Sequence, residues 1–408
     1  MILIVQIAVI AAAARIAGTV FRRIGQPAVV GEMVAGILLG PSCFGLVAPA
    51  THAQLFGARS LPALQQLSQA GVILYMFVVG AETDVSLLSA HARAAVAISA
   101  AGIAAPFVLG CALSAWLWTW LAPPHVPFLP FALFLGTAMS ITAFPVLARN
   151  LAERRMIGTP LGATALACAA ADDVSSWCLL ATVVAIVNAQ APSHALVTVA
   201  LTVGFAAAML LAVRPAFARI VIGPLDGVRR EAVALGAVAA FVGASAFATS
   251  AIGVHAIFGA FLAGVAMSPR RELARLVRRR VDTIAALVLV PLFFAVAGLR
   301  TEIVRVDTAA GWAACAAIVV VAIGGKFGGV TLAARLTGVG WRAALTLGVL
   351  MNTRGLMELI VLNVGYDLGI LSTPLFAMMV IMALVTTAMT SPAVRALEVR
   401  GAAPALPA

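Results

Sequence analysis

Lysine is almost missing from this chain: of its 26 basic residues, only Lys326 is not an arginine. Charge of any kind is scarce, at 10% against 63% hydrophobic residues and a mean hydropathy of +1.10, and that scarcity excludes a soluble or disordered chain. The five cysteines, Cys43, Cys111, Cys168, Cys178 and Cys315, have no CxxC spacing. Neither a disulfide framework nor a cysteine-built metal site is indicated, and the five read as small core residues. His52, His91, His125 and His194 lie in or beside loops and read as solvated, whereas His255 falls within an apolar run. The N-terminus lacks a charged leader and a convincing cleavage site, so residues 1–14 are expected to open a retained span. No cofactor is expected.

What the chain does contain is a succession of apolar runs of about 20 residues, the length that crosses a bilayer as a helix. Thirteen spans are expected, at 1–21, 28–47, 62–81, 93–121, 126–149, 160–187, 194–213, 231–250, 253–267, 282–299, 309–335, 342–366 and 371–394. The expected fold class is therefore an all-α polytopic membrane protein over residues 1–397, with a short cytoplasmic tail at 398–408. The net charge of +11 does not point to nucleic acid, because the arginines sit mostly in short loops. Nineteen follow odd-numbered spans, whereas Arg59, Arg300 and Arg305 alone follow even-numbered ones, and Arg395 and Arg400 in the tail join the larger group. Positive loops face the cytoplasm, which puts the N-terminus outside and the C-terminus inside. High Ala, Gly and Arg content points to a bacterium of high genomic GC content, hence to its inner membrane.

Asp172 and Asp173 stand side by side inside the apolar run 160–187. An ionisable side chain at that depth is rare, faces a bundle interior or water-filled cavity, and marks function. Consecutive helical residues point about 100° apart, so the two carboxylates must find different partners, one paired and one free to titrate. The sole lysine, Lys326, lies in the run 309–335 and is the obvious partner, because a buried lysine can lose its proton where an arginine keeps it.

Thirteen spans divide as six, a linker and six. The offset of seven is odd, so the halves have inverted topology, and the site is expected where corresponding helices are broken. Spans five and twelve fit. In the first, Pro145 should open the helix and free carbonyls beside the hydroxyls of Ser140 and Thr142, with Thr137 one turn earlier, all hard oxygen ligands for a small cation. In the second, Arg354 and Glu358 stand at i and i+4, where they can form a structural ion pair on one helix face. Glu32, in the second span, either lines an aqueous funnel or bonds a neighbouring helix. Glu82 and Asp84 end the third span at the interface. The segment 271–280, with Leu273, Leu276 and Val277 among its charges, reads as a cytoplasmic surface helix near anionic lipid, with a pH-sensing or docking element as the alternative.

The segments 22–41 (RRIGQPAVVGEMVAGILLGP), 136–149 (GTAMSITAFPVLAR), 170–177 (AADDVSSW), 253–266 (GVHAIFGAFLAGVA), 291–299 (PLFFAVAGL) and 351–365 (MNTRGLMELIVLNVG) together make the chain resemble the monovalent cation/proton antiporters of the second cation/proton antiporter branch, over essentially its full length. The resemblance implies a homodimer. It also implies a six-helix core domain with crossed broken helices, about 63–187 and 282–394, and a dimerisation domain, about 1–48 and 194–267. In that likeness Asp173 is the ion-binding, proton-exchanging carboxylate, Asp172 the partner of Lys326, and Ser140 and Thr142 oxygen donors to the ion. Paired aspartates are the mark of electrogenic sodium exchangers, yet 351–365 is closer to plant and cyanobacterial potassium/proton exchangers, so Na⁺ and K⁺ both stand. The chain also stops soon after its last span, without the large cytoplasmic domain of many relatives; either that regulation is absent or the domain lies outside this chain.

The expected function is alternating-access exchange of Na⁺ or K⁺ for protons, electrogenic if Lys326 gives up its proton and electroneutral if it does not. A sodium-coupled solute symporter or a cation channel are the alternatives among transport proteins. An intramembrane aspartyl protease is disfavoured because it needs its carboxylates about 3 Å apart, and neighbours on one helix diverge.

Overall fold

The computed structural model describes residues 2–57, 61–82, 92–154, 156, 159–188, 192–219, 228–284 and 288–399. Asp84, His91, Arg400 and the rest of the tail to 408 lie outside these, as does the side chain of Glu82. Every regular element among the described residues is a helix, as a bilayer requires of a chain that must satisfy its backbone polar groups without water. In order they are α1 (Ile2–Arg23), α2 (Ala28–Leu39), α3 (Phe44–Val47), α4 (Pro49–Leu55), α5 (Leu61–Glu82), α6 (Ala92–Leu121), α7 (Phe128–Ser140), α8 (Phe144–Glu153), α9 (Pro160–Asn188) and α10 (Pro192–Ala208). There follow α11 (Arg214–Arg219), α12 (Val228–Ile252), α13 (Ala256–Met267), α14 (Arg271–Ile284), α15 (Val290–Leu299), α16 (Ala309–Leu336), α17 (Trp341–Met351), α18 (Leu356–Asp367) and α19 (Thr373–Val399).

Among the described residues nine helices are long and apolar enough to cross a membrane, and shorter apolar helices accompany them. The difference from the thirteen runs read in the sequence arises partly where runs are interrupted. The runs 126–149 and 342–366 become half-helix pairs, α7 with α8 and α17 with α18.

The chain forms two compact units. The first comprises the described residues of 1–58, 85–176 and 294–408. In it α6 packs on α16 and α7, α1 on α2, and α19 lies against α16, α17 and α18. Its interior inverts a soluble core: Asp172, Asp173, Lys326, Arg354 and Glu358 are buried while Ile4, Val320 and Leu332 are exposed. The helices α2 and α15 meet backbone to backbone, since a Cβ on Gly298 would stand 2.0 Å from the carbonyl carbon of Gly36. Small residues permit such approach.

The second unit comprises the described residues of 59–84 and 177–293, with α13 packed between α5 and α12. Gly80 and Gly264 close the α5–α13 contact, where added Cβ atoms would lie 2.2 Å from the Phe261 carbonyl oxygen and 2.1 Å from that of Phe77. Here α14 packs on α5 and α12 and buries Leu273, Leu276 and Val277. Its apolar face is therefore spent on protein.

Two histidines also differ from expectation. His52 is half-buried between the rings of Phe44 and Phe56, 5.7 Å from each centroid. His255 is not inside a helix; it caps the start of α13, its Nδ1 accepting the Ile257 N–H at 3.4 Å. Of the cysteines, only Cys168 and Cys315 are buried.

Candidate functional site

The site grows from two interruptions of the backbone in the first unit. The first comes where α7 ends at Ser140 and Ile141 turns extended, with φ −73° and ψ 139°. Residues 141–143 are not helical, and α8 starts at Phe144 with Pro145 in its first turn, where a missing N–H costs nothing. The second comes between α17 and α18, at residues 352–355. The two unwound segments touch, the Ala143 N–H donating to the Thr353 carbonyl at 3.0 Å.

Broken helices inside a bilayer need partners for the groups they free. At the end of α7, Arg354 donates to the Ala138 carbonyl at 3.0 Å and to the Met139 carbonyl, while Lys326 Nζ donates to the Ser140 carbonyl at 2.7 Å. Arg354 also meets Glu358 Oε2 at 2.8 Å. The pair is therefore made, but not along one continuous helix face as the spacing suggested. Arg354 belongs to the unwound segment and Glu358 to the first turn of α18, and this frees the guanidinium to cap α7.

Lys326 spends its second hydrogen bond on Asp172 Oδ2, at 2.6 Å. The same oxygen accepts the Thr142 hydroxyl at 2.7 Å, and Asp172 Oδ1 accepts the Ser99 hydroxyl on α6. Asp172 is thus fully engaged. Its neighbour is not: both carboxylate oxygens of Asp173 are buried without a hydrogen-bond partner, the Phe144 N–H at the start of α8 being directed at the carboxylate without closing a full bond. One turn along α9, the hydroxyl of Ser176 is also buried without a partner.

The remaining sequence candidates fall as follows. The Ser140 hydroxyl lies 2.7 Å from the Gly136 carbonyl and 3.1 Å from that of Ile103. The Thr137 hydroxyl is bonded back to the Leu133 carbonyl at 2.7 Å. A hydroxyl that donates its hydrogen keeps two lone pairs, so these oxygens retain acceptor capacity toward a cation. Glu32 sits half-buried on α2 against α1, near Gly18.

Sequence reasoning missed Ser99, Ser176 and the threonines of α19. Thr387 donates to the Arg354 carbonyl at 2.6 Å and accepts the Arg354 N–H at 3.2 Å, and the Thr390 hydroxyl lies 3.4 Å from that of Thr353. The hydroxyl-rich run TTAMTS at 386–391, inside an otherwise apolar span, was the available signal for these last.

Comparison with known proteins agrees over nearly the whole length. Residues 9–397 match the family described as sodium/hydrogen exchanger, transmembrane. The Na⁺/H⁺ antiporter NhaS4 of Synechocystis sp. is 40% identical over 395 residues, covering 97% of this chain and 96% of that protein. Cation/H⁺ antiporter 20 of Arabidopsis thaliana is 38% identical over 97% of this chain but 48% of its own length, and K⁺/H⁺ antiporter 1 of Saccharomyces cerevisiae is 33% identical over 91% and 43%. The chain thus spans about half the length of these two eukaryotic relatives or somewhat less. In fold it is similar to the sodium proton antiporter MjNhaP1 of Methanocaldococcus jannaschii at pH 8, with a TM-score of 0.71 at 14% identity and 96% of each chain covered. With the family pattern met from residue 9 to residue 397 and a relative of this identity matched almost end to end, the chain belongs to the sodium/hydrogen exchanger family.

Proposed function

We propose that this chain is a secondary active antiporter exchanging Na⁺ or K⁺ for protons, with Asp173 as the carboxylate for which cation and proton compete. The observation that carries this reading is the pair of buried, partnerless oxygens on Asp173, beside the Ser176 hydroxyl. A buried polar group without a partner calls for a ligand, and hard oxygens suit a small cation. With either a cation or a proton aboard, the site is near neutral and can cross; the bare carboxylate cannot, which makes exchange obligatory. Thr142 and Ser140 add oxygens from the first break, with Thr137 behind them.

Electrogenic exchange follows if the cation draws Asp172 away from Lys326 and the lysine gives up its proton. Two protons then move against one cation, and the membrane potential contributes about 2.3 kcal/mol per 100 mV for the net charge. Electroneutral K⁺/H⁺ exchange is the second reading. It is favoured by the second acceptor on Lys326, the Ser140 carbonyl, which a protonated amine satisfies best. The working unit is a homodimer in the bacterial inner membrane, N-terminus outside and C-terminus in the cytoplasm, with 63–187 and 282–394 acting as core and 1–48 and 194–267 as dimerisation domain.

The test is proton flux in proteoliposomes given Na⁺, K⁺ or Li⁺ in turn, with and without a clamped potential. A cation-evoked flux that follows the potential is the expected result. Flux indifferent to potential keeps the antiporter and removes Lys326 from the proton count, and no flux with any cation from mildly acidic to alkaline pH overturns the reading.

A further inference from the structure

Hydroxyls on the long helices of this chain repeatedly return to their own backbone, the usual recourse of serine and threonine in a helix. On α9 the Thr164 hydroxyl donates to the Pro160 carbonyl at 2.9 Å and that of Thr182 to the Cys178 carbonyl at 2.8 Å, each four residues back. Thr386 and Thr390 on α19 do the same. Ser176 departs from this pattern. The residue is only 3% exposed, yet its hydroxyl has no partner, so the Asp172 carbonyl four residues back goes unused by it.

One turn before Ser176 stands Asp173, whose two oxygens are also buried and also without a partner. Residues at i and i+3 share a helix face, and helical side chains lean toward the N-terminus, which tilts the Ser176 hydroxyl toward the carboxylate. The two groups nevertheless do not bond each other. A buried hydroxyl and a buried carboxylate unbonded on one face are both satisfied by a single ligand that takes lone pairs from each. All of these are hard oxygen donors, the kind a small cation takes. Ser175, turned about 100° from Ser176, is exposed and shares none of this.

We infer that Ser176 is a ligand of the transported cation, its hydroxyl oxygen binding the ion together with the Asp173 carboxylate. The inference rests on the reading of Asp173 as the exchange carboxylate and adds the residue that sets how tightly, and which, cation is held. Each protein oxygen on the ion stands in for part of its water shell, so the hydroxyl helps the carboxylate strip the ion. A proton on Asp173 needs no such shell. Without the hydroxyl, competition therefore shifts toward the proton: more cation is needed at a given pH, while maximal exchange and its response to potential are kept.

The experiment uses the purified full chain. Cation binding is read as the rise of the unfolding midpoint with sodium, potassium or thallous nitrate against choline nitrate. Variants are Ser176→Ala, Ser176→Thr and Ser176→Cys, with Ser175→Ala as control and Asp173→Asn as reference. Ser176→Ala is expected to weaken cation binding about tenfold, Ser176→Thr to restore it and Ser175→Ala to leave it unchanged. In proteoliposomes Ser176→Ala should raise the KM for the cation by the same factor with the maximal rate kept. Ser176→Cys puts a soft sulfur where a hard oxygen stood, so the ratio of Tl⁺ to K⁺ affinity should rise about tenfold, which a serine that only packs would not produce. If Asp173→Asn abolishes binding while Ser176→Ala and Ser176→Cys bind all three cations as the parent does, the inference is overturned and the reading of Asp173 stands. If Asp173→Asn binds as the parent does, or the parent binds none of the cations, both fall. Should Ser176→Ala not fold, the cysteine variant decides.

Discussion

The two broken helices are related in design but not in how their ends are satisfied. The last carbonyls of α7 at the first break, Ala138, Met139 and Ser140, receive full positive charges from Arg354 and Lys326. At the second break the carbonyls of α17 receive neutral donors: the Asn352 N–H to Gly348 and Val349, and the Thr353 N–H and hydroxyl to Leu350. A helix C-terminus carries about half a negative charge. The first break therefore depends on basic side chains brought from distant segments of the chain, while the second is closed mainly by its own residues. Charge changes at the site should be felt at the first break and hardly at the second.

Asp173→Asn should have the largest effect on activity, because it removes the carboxylate directed toward the start of α8. Cation-evoked proton movement in proteoliposomes should fall to that of empty vesicles, and normal transport would sink the site assignment. Arg354→Met should follow, leaving Glu358 buried and alone and two carbonyls of α7 uncapped. A loss of about 3–5 kcal/mol is expected, read as a lower unfolding midpoint, whereas Asn352→Ala at the second break should cost no more than about 1 kcal/mol. Equal losses would abolish the contrast between the breaks.

Lys326→Gln keeps a hydrogen-bond donor beside Ser140 and Asp172 but removes the charge. Exchange should survive with its response to membrane potential lost, and a variant as electrogenic as the parent would show that the lysine carries no proton. The smallest effect should separate two threonines. Thr142→Val loses a bond to Asp172 of about 1 kcal/mol, roughly a fivefold weaker apparent cation affinity, with recovery in Thr142→Ser. Thr137→Val, whose hydroxyl is spent on its own helix, should leave that affinity unchanged.

The breaks themselves were legible in the sequence, because Pro145 and the polar run from Asn352 to Gly355 interrupt apolar runs in ways that local chemistry dictates. The divergence of Asp172 and Asp173 was legible too, from helix geometry alone. What was not legible depended on where distant segments cross. Arg354 caps a helix more than 200 residues earlier in sequence, and Ser99 reaches Asp172 from α6, neither of which spacing can reveal. Ser176 was missed although it stands at i+3 from Asp173, on the face that the carboxylate occupies.

The contact between Gly36 and Gly298 has a consequence for the protein's descent. Where two side chains meet, a larger one can be matched by a smaller one opposite; where two backbones meet, nothing remains to trim. A methyl group at either glycine can be accommodated only by shifting a whole helix, so no second substitution nearby can rescue it. In a saturation library these two positions should therefore read as intolerant as any buried charged residue of the first unit, although neither carries a side chain.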